Sequence, residues 1–545
     1  MHIRKIILLG LLLCIMVVCV VCGCTQRGET PMIWFEHSFT KVLHDSTYSG
    51  KDTYTVYMAQ NEYESCQVVL KLDEAATGLA IELSPFTNKN GDVVAAEIFE
   101  EYYVPVGSYL DANSDFVDYP DPVVPIAADY TFDVRANEAT PFMIRLHTDK
   151  DTPAGDYTAT IKIHSNGKEL HTAQISAHVW GFAYSDEKAC ATAAGISYGA
   201  IKKMHGIESD EQWTEMYKKY YDFMLGYGIS GYDLPCNILS EEANAYMSDP
   251  RVTSFKVPYS EDDNIIIAYY EKLSSNPVWM EKAYFYPIDE PTTPDAYYQI
   301  ELIKTRLDRL FPGNKICVPF FVDPFVSEDK DAIESMDGVI DIWCPKAYCY
   351  DDKNIYFDIT TQTSIVDKYY SLGYKSFRDR MGEKVSNGDK VWWYVCWEPG
   401  DPYANLFVDM QGICHRILFW QQKQMNVDGF LYWQVNYWDN VSDPWTDMST
   451  VKWINDYVFG DGSLLYNGNK VDIDGPVASL RLEAVRDGIE DFQLLTMAEE
   501  ILGENLVANA IATCSKSMTE YTKDGDKLMN ARMIVGNSLE KAIKE

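Results

Sequence analysis

The sequence predicts a multidomain chain: an N-terminal antiparallel β-sandwich, a (β/α)8 barrel of TIM type, and a C-terminal helical segment. Three observations predict it. The 545 residues exceed one ordinary core, since domains run about 100 to 200 residues. The first third is filled by short alternating strands punctuated by turn residues. Beyond about residue 189, strand-like and helix-like stretches alternate, the mark of a parallel sheet covered on both faces.

The first residues form a leader over 1–24. His2, Arg4 and Lys5 give a short polar and basic start, and 6–21 is almost wholly apolar. Val21-Cys22-Gly23-Cys24 then precedes polar Thr25, Gln26 and Arg27. This reads as a signal peptide ending in a bacterial lipobox, with the Cys24 thiol carrying the lipid. The competing reading is an uncleaved anchor, for which the apolar run is only marginally long. The expectation is an exported protein, lipid-anchored at the bacterial cell surface or in the periplasm, with no other membrane segment.

Over 30–185 the strands alternate at 53–58, 65–72, 141–147 and 155–163, with turns at Asn88-Lys89-Asn90-Gly91 and Ser165-Asn166-Gly167-Lys168. That pattern predicts the sandwich. Over 186–460 strands are expected at 191–196, 229–234, 253–257, 283–288, 316–321, 339–344, 391–397 and 429–435. Helices fall between most of them, as at 210–225, 294–310 and 413–424. Eight such repeats predict a closed barrel. Over 461–545 a turn region gives way to helix, where Leu482, Val485, Ile489, Phe492, Leu495, Ala498 and Ile501 keep helical spacing. Arg481, Arg486, Glu490 and Asp491 there read as structural charge pairs on the surface or between domains.

Composition narrows the partners. With 82 acidic residues against 46 basic, the net charge is −36, which repels nucleic acid. Strongly sulfated or uronic-acid-rich polysaccharides are disfavoured too, unless a local patch is basic; a neutral glycan is compatible. The 38 Tyr and 13 Trp suit flat stacking surfaces, although most such rings fill cores. Of 13 cysteines, Cys14, Cys19, Cys22 and Cys24 lie in the leader. The others are scattered without a C-x-x-C pair and read as small buried hydrophobes. Only His205 and His415 fall in the barrel span, and neither H-E-x-x-H, G-x-S-x-G nor a phosphate loop occurs. Neither metal nor cofactor is expected.

The sharpest local feature is Tyr284-Phe285-Tyr286-Pro287-Ile288-Asp289-Glu290-Pro291-Thr292. An apolar strand runs straight into two carboxylates, at the strand end where barrel enzymes keep their chemistry. Pro291 biases Glu290 toward extended backbone, and Thr292 and Thr293 are the better caps for the next helix. The alternative is an ordinary acidic loop. Conventional glycosidases place two carboxyl groups about 5 to 9 Å apart on opposite sides of the sugar, which neighbours in sequence do not readily do. Substrate assistance fits adjacent acids better. A 2-acetamido oxygen attacks its own anomeric carbon, one carboxylate holds the acetamide N–H, and the other, protonated, gives a proton to the leaving oxygen. Mutual repulsion raises one pKa of such a pair.

This stretch resembles glycoside hydrolase family 123, the β-N-acetylgalactosaminidases, and related exported proteins of the same layout. So do Asn61-Glu62-Tyr63-Glu64-Ser65-Cys66-Gln67, the run 429–438 with Asp443-Pro444-Trp445, and the run 479–492. The resemblance implies a β-linked N-acetylgalactosamine substrate, with Asp289 orienting the acetamido group and Glu290 as general acid/base.

Further candidates for the sugar site lie at strand ends: Trp433, Asn436 and Trp438 on the eighth, Trp397 and Glu398 on the seventh, Trp343 and Tyr348 around the sixth, and Asp233 on the second. Core packing competes, most of all for Trp392, Trp393 and Tyr432, where alternation turns some rings away from the centre. Three functions remain open: a retaining exo-hexosaminidase, a non-hydrolytic surface glycan-binding lipoprotein, and a conventional glycosidase using Glu290 with Glu398 or Asp233.

Overall fold

The computed structural model describes residues 33–107, 116–320, 330–351, 357–358, 363–364, 373, 375–453 and 456–545. The leader and Cys24 lie outside them.

The N-terminal region is almost all sheet. Alternation of apolar and polar residues builds long antiparallel ladders, such as Tyr63–Lys71 against Ala139–His147 and Gly155–Ser165 against Lys168–Ala183. Val68, Phe142, Ile144, Tyr157 and Ile161 fill the core these strands enclose. Two strands of this 13-stranded sheet come from far down the chain. Leu465–Asn467 pairs with Pro476–Ser479, which pairs in turn with Val117–Pro125. The region expected to be helical after 461 therefore begins by completing the N-terminal sheet. Its helices follow at Leu480–Leu502, Glu504–Cys514 and Gly525–Lys544.

The middle of the chain forms a nearly closed, barrel-like parallel sheet. Ala191–Ala194, Gly429–Tyr432, Lys390–Val395, Ile342–Pro345 and Cys317–Phe320 make five neighbouring strands in that order. Phe255–Lys256 and Ala283–Tyr284 form a parallel pair, joined to the five by a Phe285–Ile316 bridge. The gap narrows through an Ala194–Gly231 bridge and a Lys256 N to Tyr232 O hydrogen bond of 2.8 Å. Seven of the eight expected positions hold a strand, and the remaining one, 229–234, contributes only the bridge at Gly231 and the carbonyl of Tyr232. Its interior is packed with Ala193, Tyr284, Cys317, Ile342, Cys344, Trp392, Tyr394 and Leu431. All nine described cysteines are free thiols, eight of them buried.

Sheet, ring and C-terminal helices meet on buried charge. Arg416, from the helix Ile413–Gln424, bonds Glu64 of the N-terminal sheet at 2.8 and 2.9 Å and Asp491 of Leu480–Leu502 at 2.7 and 2.9 Å. Arg532 bonds Asp491 at 2.7 Å and also reaches Glu62. Arg481 bonds Asp121 of the N-terminal sheet at 2.8 Å. All seven side chains are buried. Arg481 and Asp491 thus join the N-terminal sheet, the ring and the C-terminal helices rather than lying on the surface, and Arg486, on Glu483 at 2.6 Å, is buried as well.

Candidate active site

The C-terminal rim of the ring opens on a cavity of about 710 Å3, within the range of small-ligand pockets. Asp289 and Glu290 both line it, with Tyr286, Tyr394, Trp397 and Trp433. The local sequence explains their place. The fourth ring strand ends in buried Tyr284 and Phe285. The next helix, Pro294–Leu310, starts only at Pro294, capped by the Thr293 hydroxyl accepting from Ala296 N at 3.3 Å. The two acids are left in the loop between, at the ring's mouth.

Each acid has its own tyrosine. The Tyr286 hydroxyl donates to Asp289 Oδ1 at 2.6 Å. The Tyr394 hydroxyl, from the seventh strand, donates to Glu290 Oε1. Lys346 Nζ stands 4.0 Å from Glu290 and 3.3 Å from Glu398. The backbone of Glu290 departs from the extended form expected before proline: its φ is +43°. A left-handed non-glycine residue costs on the order of 1–3 kcal/mol and persists where its surroundings fix it. Here the Tyr394 bond and the Lys346 charge hold the carboxylate.

Glu290 is pushed above the ordinary carboxylate range. Burial is the largest cause, and the Asp289 and Glu398 charges add to it; Tyr394 and Lys346 act in the opposite sense. Burial opposes the Lys346 ammonium, but Cys396, Glu398 and Glu290 outweigh it and its pKa stands above the usual value. The site therefore combines an acid biased toward its protonated form with an exposed neighbour oriented by a phenol.

The other sequence candidates divide. Trp397 and Trp433 line the cavity. Glu398 is not among the lining residues and pairs with Lys346, which also lies 4.8 Å from the Trp397 ring centre. Asp233 is exposed and paired with Lys256, a lining residue, at 3.3 Å. Tyr348, half-buried in the short turn Ala347–Tyr350, is not among the lining residues.

Three more lie away from the cavity. Trp343 is buried on the outside of the ring, donating to Asp389 at 2.9 Å. Its neighbours Ile342 and Cys344 point inward, so alternation turns it out. Asn436 is buried with its amide on the Ser197 backbone, accepting from N at 2.7 Å and donating to O at 3.3 Å. Trp438 is buried on Ser463 Oγ at 2.9 Å. Both follow the last strand but serve its connecting loop.

Sequence reasoning missed Tyr286, Tyr394, Lys346 and Asp461. Strand alternation from inward Trp392 would have placed Tyr394 inside. Asp461, a buried lining residue from a turn, carried no signal beyond its flanking glycines. Among the described residues no group of three or more His, Cys, Asp or Glu is arranged to hold a metal.

Residues 326–498 match the family model "Glycoside hydrolase 123, catalytic domain". The matched stretch includes Lys346, Tyr394, Trp433 and Asp461 but begins after Asp289 and Glu290. The structure of a family 123 glycoside hydrolase from Clostridium perfringens, described for glycolipid glycan hydrolysis, superposes with a TM-score of 0.66. The two share 14% identity over 94% of this chain and 98% of that one. A family 39 glycoside hydrolase from Bacteroides cellulosilyticus overlaps at a TM-score of only 0.31, with 9% identity over 82% of each chain. No curated protein matches the chain.

Proposed function

We propose that this protein, whose residues 326–498 carry the glycoside hydrolase 123 match, is an exported hydrolase that removes terminal β-linked 2-acetamido sugars, N-acetylgalactosamine foremost, with retention at the anomeric carbon. One observation carries the reading: two sequence-adjacent carboxyl groups line one sugar-sized cavity, and the second is pushed toward its protonated form.

The chemistry follows from that pair. The acetamido oxygen attacks C1 as the C1–O bond to the leaving group breaks. Glu290 gives its proton to the departing oxygen. Asp289, turned by Tyr286, accepts from the acetamide N–H and offsets the positive charge of the cyclised intermediate. Water then attacks C1 from the vacated side as the C1–O bond to the acetamido oxygen breaks and the acetamide re-forms, and the water gives its proton to the Glu290 carboxylate. Two inversions make a retention. Lys346 and Tyr394 stabilise Glu290 in its charged phase, between the two proton transfers.

The reading extends to architecture and location. It takes the N-terminal sheet as a β-sandwich, the ring as a (β/α)8 barrel, and residues 1–24 as a leader ending in lipidated Cys24. A conventional pair of Glu290 with Glu398 or Asp233 is less well supported, because Lys346 and Lys256 occupy those two partners.

The test is the mature chain against nitrophenyl glycosides with and without the 2-acetamido group, and against glycolipid glycans. Hydrolysis confined to the acetamido substrates is expected. Cleavage of plain galactosides would favour the conventional pair, and binding without turnover would favour a glycan-binding protein.

A further inference from the structure

Asp461 stands on the cavity wall although it belongs to no ring strand. It is the centre of Gly460-Asp461-Gly462, in which both glycines take left-handed φ, +75° and +67°. Each is there for a close approach as well as a turn. A Cβ on Gly462 would come 2.3 Å from Cζ2 of Trp433, and one on Gly460 would meet Arg481 Nη1 at 2.8 Å. The turn is therefore packed closely against the indole on one side and against a buried guanidinium on the other.

The side chain of Asp461 reaches the same ring. Trp433 Nε1 donates to Asp461 Oδ1 at 3.1 Å, and the Tyr432 hydroxyl donates to it at 3.2 Å. The turn itself is anchored. Arg481 donates to Gly460 O at 2.8 Å and to Ser463 O at 2.5 Å. Thr450 Oγ1 donates to Asp461 O, and Tyr437 N to Gly462 O, both at 2.7 Å. Asp461 Oδ2 is buried with no hydrogen-bond partner among the described residues. Burial pushes the carboxyl up to about 6 despite the bonds it accepts. A buried acid with one oxygen unpaired costs stability, and the bonds its other oxygen accepts tie it to Trp433 and Tyr432.

We infer that Asp461 is a positioning residue that fixes the Trp433 indole as the stacking wall of the sugar site. A free tryptophan after the end of its strand has rotamers to choose from; the bond to Nε1 and the close contact with Gly462 restrict that choice. Sugar bound against a ring already in place avoids the cost of ordering it. The inference deepens the proposed sugar-binding reading and rests on it.

A double-mutant cycle tests it, with Asp461→Leu, Trp433→Phe and the double variant. Phenylalanine keeps a ring but loses the N–H. Asp461→Leu is expected to raise KM about tenfold on a 2-acetamido glycoside with kcat little changed, the pattern of lost uniform binding. In the Trp433→Phe background the same substitution should add little, because the partner is already gone. Asp461→Asn keeps an acceptor oxygen and should restore near-parent KM, which a mere loss of fold would not allow. Losses that multiply independently, or an unchanged KM in Asp461→Leu, overturn the inference. Should the leucine variant not fold, Asp461→Ala enters the same cycle. Titration of N-acetylgalactosamine by calorimetry on the same proteins separates the two readings. A parent chain that binds without hydrolysing sinks the proposed activity, while the cycle in Kd still decides Asp461. A parent chain that neither binds nor hydrolyses sinks both.

Discussion

Replacing Arg416 by Met should destabilise the protein by about 3 kcal/mol, the lower end of the range for deleting one partner of a buried ion pair. Methionine keeps much of the apolar stem and none of the charge. Arg416 is fully buried and bonds Glu64 and Asp491 twice each, with Asp487 at 3.3 Å. The three carboxylates are not left bare. Asp491 keeps Arg532 at 2.7 Å and Trp420 Nε1 at 2.8 Å, Asp487 keeps Arg486 at 2.6 Å, and Glu64 keeps Arg532 at 3.3 Å. Those second partners place the cost at the low end. The pH dependence has a definite sign. Burial opposes the charged form of Glu64, but Arg416 and Arg532 outweigh it and hold the carboxyl below its usual range; the same balance holds Asp491 low. A depressed carboxylate contributes stability above the unfolded pKa of about 4 and loses it as pH falls. The deficit of the variant should therefore be largest near neutrality and shrink in acid. Urea unfolding followed by tryptophan fluorescence at several pH values reads it from the midpoint at constant m. A neutral-pH loss below about 1 kcal/mol, the worth of an exposed pair, would refute the buried bridging role of Arg416.

Three other expectations concern the site. Glu290→Gln should cut turnover of substrates with poor leaving groups by about 10²- to 10⁴-fold, the usual worth of a general acid, with the unfolding midpoint little moved; near-parent rates would remove Glu290 from the reaction. In Tyr394→Phe the lost hydroxyl no longer favours the Glu290 carboxylate, so the pKa rises and the alkaline limb of the kcat/KM profile shifts to higher pH. A limb that stays or moves toward acid contradicts the proton-donor role. Gly462→Ala meets the Trp433 ring and a left-handed φ together; a loss of about 1–3 kcal/mol in thermal or urea unfolding is expected, with a raised KM, and a neutral outcome would show that the turn and ring can part.

Much of this site was legible because two local rules reinforce each other. An apolar strand delivered Asp289 and Glu290 to a rim, and Thr293 with Pro294 fixed where the helix begins, so the acids had to lie between. The same reasoning failed for Trp343 and Trp438 because proximity to a strand end does not set direction. Alternation sets it, and Ile342 and Cys344 take the inside at the sixth strand. For Asn436 the reason differs: a buried amide beyond the strand is more useful closing backbone groups, here those of Ser197. The left-handed Glu290 could not be read at all. Its carboxylate is held by Tyr394 and Lys346, which lie 104 and 56 residues further along the chain. The strands at Leu465–Asn467 and Pro476–Ser479 were hidden for a related reason. Each is too short to signal by itself and exists because the N-terminal sheet offers it an edge.

That edge matters for the chemistry. Asp121 lies on Val117–Pro125, the strand to which Pro476–Ser479 is added, and it grips Arg481 at 2.8 and 2.9 Å. Arg481 holds the carbonyls of Gly460 and Ser463 on either side of Asp461, and Asp461 holds Trp433. A continuous series of buried polar contacts therefore runs from the N-terminal sheet to the cavity wall. Each link is a charge or a donor whose loss would orphan its neighbour, which is the condition under which such a series resists slackening. The N-terminal sheet is thus part of what shapes the cavity. Asp121→Asn, distant from any sugar, should reproduce in weaker form the KM effect of disturbing Asp461, and a sugar affinity equal to the parent's would confine the sheet to a packing role.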